Sequence, residues 1–103
     1  MELRHLRYFT AVVQWKGYRE ASRQIHVAQP AISQTVADLE EELGLKLFSR
    51  AKRVAQLTPE GEVFYAEAVR TLAQAELAIE AARRAARGEI GRASCRERVL
   101  VTV

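Results

Sequence analysis

The stretch Ala21-Ser22-Arg23-Gln24-Ile25-His26-Val27-Ala28-Gln29-Pro30-Ala31-Ile32-Ser33 decides the fold. Tyr18, Ala21, Ser22 and Ile25 have helical spacing and predict a short helix over about 18–25. His26-Val27-Ala28 is long enough only for a turn. Gln29-Pro30 then opens a new helix, because proline suits a helix only in its first turn. That helix, about 29–42, carries Ile32, Val36, Leu39 and Leu43 on one face. Ser33, Gln34, Thr35, Asp38 and Glu41 lie on the other, and Gly44 is placed to end it. Helix, tight turn, helix in these lengths is a helix-turn-helix pattern.

Upstream, Leu3, Leu6, Phe9 and Val13 predict a first helix over about 3–15, broken by Lys16-Gly17. Downstream, Leu47-Phe48 and Val54–Leu57 are short and strand-like, and they predict a small β-hairpin. Its tip holds Arg50, Lys52 and Arg53. Thr58-Pro59-Glu60 reads as cap, first helical residue and acidic first turn. One helix runs from there to about Arg87, some 43 Å at 1.5 Å per residue. Gly61 is its one weak interior residue, and Gly88 ends it.

The long helix has a repeat. Tyr65, Leu72, Ile79 and Ala86 recur every seven residues, with Ala68, Ala75 and Ala82 three after the first three. Such a seam must pack on the first domain, on another copy, or on both. The small alanines favour close approach of two backbones, so the reading adopted is a homodimer through the 59–87 helix.

Composition narrows the function. A chain of 103 residues, 49% hydrophobic and 28% charged, is globular but too short for a cofactor enzyme with a separate substrate domain. A single cysteine excludes an internal disulfide framework and a multi-cysteine zinc site. His5 and His26 have no ligand spacing, so no metal and no cofactor is expected. No apolar run reaches membrane-spanning length, and MELRHLRYF lacks a signal-peptide core, so a cytoplasmic location is expected. The net charge of +3 equals the balance of residues 1–58. Lys46, Arg50, Lys52 and Arg53 crowd into eight of them, as suits a polyanion.

In a helix-turn-helix the second helix enters the DNA major groove, N-terminal residues first. Here those residues are Gln29, Pro30, Ala31, Ser33 and Gln34. Glutamine pairs bidentately with adenine, serine serves either base, and alanine meets the thymine methyl. Arg50, Lys52 and Arg53 in the wing could reach phosphates or a narrow minor groove. The acidic run Glu40-Glu41-Glu42 reads as a solvated helix end, because consecutive helical residues point apart and make no acid–base pair. Trp15 groups with Phe9 and Phe48 as core or core rim, and Tyr18 as a packing residue. No catalytic residue is expected.

Leu3–Phe9, Ala21–Ser33, Leu39–Phe48 and Leu57–Gly61 resemble the LysR-type transcriptional regulators, and the likeness covers about residues 1–88. The resemblance implies a mainly α fold: a winged helix-turn-helix with a small hairpin wing, followed by one long linker and dimerisation helix. It places the winged domain at 1–58, its motif at about 18–37 and the linker at 59–88. Gln29, Pro30, Ser33 and Gln34 take the family's base-facing positions, and Arg50 and Arg53 its wing positions. Three positions depart from the family's habit: Gln34 where arginine is frequent, Gly17 where serine is, and Arg19 where threonine is.

Family members are usually about three times longer and carry an effector-sensing domain. The expectation here is a truncated module that binds double-stranded DNA, with no small-molecule effector. Residues 89–103 depart from the family, and Glu89–Val99 resembles a translated sequencing adapter, so this tail is expected to be non-native. Two other readings stay open. One is a helical interaction module that heterodimerises with full-length regulators. The other is an inert gene fragment.

Overall fold

The structure is a computed structural model that describes residues 1–49 and 55–88. Its elements are α1 (Leu3–Gln14), α2 (Tyr18–Ile25), α3 (Gln29–Leu43), β1 (Phe48–Ser49), β2 (Gln56–Leu57) and α4 (Pro59–Ala86). The predicted helices and hairpin are present, with strands of two residues each. The chain divides into a compact unit, Met1–Leu72, and a second, Ala73–Val103. Residues 89–103, where the non-native tail is expected, lie outside the described residues.

α1 begins at a reciprocal cap in which the Glu2 N–H donates to His5 Nδ1 at 3.1 Å. His5 thus has a structural task. Leu6, Phe9 and Val12 recur at helical spacing and are all buried. They meet Ile32, Val36 and Leu39 of α3, which are 0%, 2% and 1% exposed. α2 packs on both α1 and α3, with its Ala21 fully buried. A methyl group there lets the short helix approach closely.

Phe9 is the centre of the core. Its ring lies 5.4 Å from Phe48, 5.3 Å from Phe64 and 6.2 Å from Tyr65, tilted or edge-on to each. Tyr18 packs on Phe48 at 6.0 Å. Trp15 is not part of this core: it stands 37% exposed at the C-terminal end of α1, where the chain turns through Lys16 at φ 58°.

The hairpin pairs Phe48 with Leu57 and Ser49 with Gln56, antiparallel. Thr58 then joins the sheet to α4. Its N–H donates to the Leu47 carbonyl at 2.9 Å, its hydroxyl donates to the Lys46 carbonyl at 2.6 Å, and the same oxygen accepts the Gly61 N–H at 2.9 Å. The cap therefore fixes the start of α4 onto the strand before it. Gly61 has a packing reason to be glycine: a Cβ there would run into the Leu47 carbonyl oxygen and come within 3.0 Å of Leu57 Cδ2.

The core does not stop at the cap. Ala68 is 2% exposed, and Phe64, Tyr65 and Leu72 pack against the same cluster. The first turns of α4 thus belong to the compact unit that begins at Met1.

Candidate nucleic-acid interface

Burying Ile32, Val36 and Leu39 fixes the rotation of α3 about its axis. Its opposite face must then look outward. Gln29, Pro30, Ala31, Ser33 and Gln34 are all exposed in the first turns of that face. Pro30 sits where its missing N–H costs no helical bond, and Gly44 closes α3 in the left-handed conformation at φ 71°. The turn before α3 is held by two short-range bonds. Ser22 Oγ donates to the Val27 carbonyl at 2.6 Å, and the Val27 N–H donates to the Ser22 carbonyl at 3.3 Å. His26 stands in the left-handed region at φ 57° to make the corner, a conformation that costs a non-glycine residue roughly 1 kcal/mol.

Beside the start of α3 lies a shallow concavity whose lining includes Lys16, Arg19, Arg23 and Gln29. Lys16 and Arg19 are exposed, and Arg23 leans on Glu20 at 3.4 Å. Lys16 and Arg23 were not expected at this face. Their clustering needs the α1–α2 corner, which sequence spacing does not reveal.

The acidic run divides in a way the solvated-end reading misses. Glu41 and Glu42 are exposed, and Glu42 pairs with the Met1 amino group at 3.3 Å. The Glu40 side chain is only 10% exposed. Its Oε2 accepts the Leu47 N–H at 2.8 Å and the Phe48 N–H at 3.3 Å, while Lys46 Nζ approaches Oε1 at 3.9 Å. The carboxylate ties the last turn of α3 to the first strand of the wing. The partners are seven and eight residues ahead, beyond any helical spacing. Arg50, Lys52 and Arg53, the expected wing contacts, lie outside the described residues.

Along the expected dimer seam, Tyr65, Ala68 and Leu72 pack into the chain's own core. Ala75 is half-buried, and Ile79, Ala82 and Ala86 are exposed, Ile79 at 41%.

Three packed helices closed by a two-stranded hairpin, with an exposed polar face at the start of α3, define a winged helix-turn-helix protein. The family described as bacterial regulatory helix-turn-helix protein, lysR family, matches residues 3–62, and the chain belongs to that family. It is 45% identical over 94 residues to the HTH-type transcriptional regulator BudR of Klebsiella aerogenes, covering 91% of this chain and 66% of BudR. It is 45% identical over 91 residues to the regulator AlsR of Bacillus subtilis (strain 168), covering 88% of this chain. The chain thus spans only 30% of AlsR's length. Among solved structures, the BenM DNA-binding domain in complex with catB site 1 DNA superposes with a TM-score of 0.81 at 42% identity, covering 84% of this chain and 97% of that one. BenM itself comes from Acinetobacter baylyi (strain ATCC 33305 / BD413 / ADP1). No helix among the described residues is long and apolar enough to cross a membrane.

Proposed function

We propose that this chain is the sequence-specific DNA-binding module of a LysR-type transcriptional regulator, acting on double-stranded DNA in the bacterial cytoplasm without catalysis. The observation that carries the reading is the superposition on a DNA-bound domain over nearly its whole length. The exposed N-terminal face of α3 supports it: Gln29, Pro30, Ala31, Ser33 and Gln34 are the base-reading group. Lys16, Arg19 and Arg23 beside Gln29 supply contacts to phosphate, as Arg50, Lys52 and Arg53 do from the wing sequence. The module pairs with a second copy through α4, where the seam residue Ile79 stays 41% exposed. A seven-residue seam with exposed apolar members on one long helix needs such a cover.

Selection from a random duplex library with the full chain tests the reading. An enriched motif with two related half-sites is expected, with binding that weakens steeply as salt rises. Equal retention of all sequences would refute it.

A further inference from the structure

Gln34 is not free on the reading face. Its Nε2 donates to Asp38 Oδ1 at 2.9 Å, one helical turn further on. A carboxylate oxygen can only accept, so chemistry settles which end of the amide faces it: the NH2 turns to Asp38 and the carbonyl turns away. No donor among the described residues engages Gln34 Oε1. Both residues are exposed on the side of α3 that bears Ser33.

We propose that Asp38 is a specificity-determining residue that orients Gln34, so that this position reads a base carrying an exocyclic amine in the major groove. The inference rests on the DNA-binding reading above. An oriented Gln34 offers one acceptor and one remaining N–H. Adenine matches both through N6–H and N7, and cytosine matches the acceptor through N4–H. Guanine, with N7 and O6, and thymine, with O4, can accept the N–H but leave the amide oxygen unpaired, so only adenine satisfies both groups. Without Asp38 the amide rotates freely and can turn either end to the base. Asp38 itself touches no base in this scheme; it is a positioning residue.

The test is selection followed by competition binding with the full chain and its D38A, D38N, Q34A and Q34A/D38A variants. Asp38 is exposed, so none of these changes disturbs the core. The wild type prefers adenine at the position that Q34A relaxes. D38A lowers that preference about threefold. D38N lowers it too, because an asparagine amide presents either its oxygen or its NH2 to Gln34 and no longer fixes which end faces the base. D38A adds nothing to Q34A. The proposal falls if D38A leaves the preference intact, if D38N keeps it in full, or if Q34A relaxes no position. A wild type that selects no sequence at all overturns the DNA-binding reading itself, and this proposal with it.

Discussion

Replacing Glu40 by alanine removes the acceptor for two backbone N–H groups in one step. The Leu47 bond at 2.8 Å is short and the Phe48 bond at 3.3 Å is long, and both end on a side chain that is 10% exposed. Leu47 and Phe48 are themselves buried, at 0% and 7%, so water replaces the carboxylate poorly. A hydrogen bond to a charged group contributes about 1.5–3 kcal/mol. Counting the short bond fully and the long one as a fraction, Glu40→Ala destabilises the Met1–Leu72 unit by about 2–4 kcal/mol. A small domain holds only about 5–15 kcal/mol in all, so the midpoint falls by roughly 10–25 °C. Lys46 adds little, being 62% exposed and 3.9 Å away. Glu40→Gln keeps an accepting oxygen and costs about 1 kcal/mol. Glu41→Gln and Glu42→Gln stay within about 0.5 kcal/mol of wild type. Urea titration of the full chain, followed by far-ultraviolet circular dichroism and by the fluorescence of Trp15, the single tryptophan, measures all four. A Glu40→Ala midpoint equal to those of the Glu41 and Glu42 variants would refute the clasp between α3 and β1.

Gly61→Ala drives a methyl group into the Leu47 carbonyl and lowers stability by about 1–3 kcal/mol in the same titration, although alanine is the better helix former. Ile79→Glu places a charge on the exposed part of the α4 seam, and sedimentation equilibrium should show monomer, with an unfolding midpoint that no longer rises with protein concentration; a persisting dimer would remove Ile79 from the interface. Arg53→Ala weakens binding to every duplex alike and reduces the slope of log affinity against log salt by about one, whereas an unchanged slope would take Arg53 out of the phosphate contacts.

The helices were legible because their apolar residues repeat with helical period, and their ends because Gly44, Pro30, Thr58 and Pro59 carry conformational preferences of their own. The exposed group on α3 followed from the same periodicity: once Ile32, Val36 and Leu39 are inside, Gln29, Ser33 and Gln34 are outside. The Gln34–Asp38 bond left a visible mark in its four-residue spacing, since that distance puts two side chains side by side on a helix. Glu40 left none. It stands beside two exposed glutamates of the same chemistry, and only the strand that follows distinguishes it. Trp15 misled for a related reason. A large aromatic at the end of an apolar stripe suits a core, but the chain turns at Lys16 and leaves it outside.

By itself, then, the sequence determined the order of elements, the outward face of α3 and the cap at Thr58, because each depends on groups within a few residues of one another. Tertiary structure decided what depends on distant neighbours. It turned Glu40 into a clasp and Gly61 into a steric necessity. It gathered Lys16, Arg19 and Arg23 beside Gln29, and it drew Tyr65, Ala68 and Leu72 of the seam into the chain's own core. Periodicity shows that a residue needs a partner; only the folded chain shows which surface supplies it.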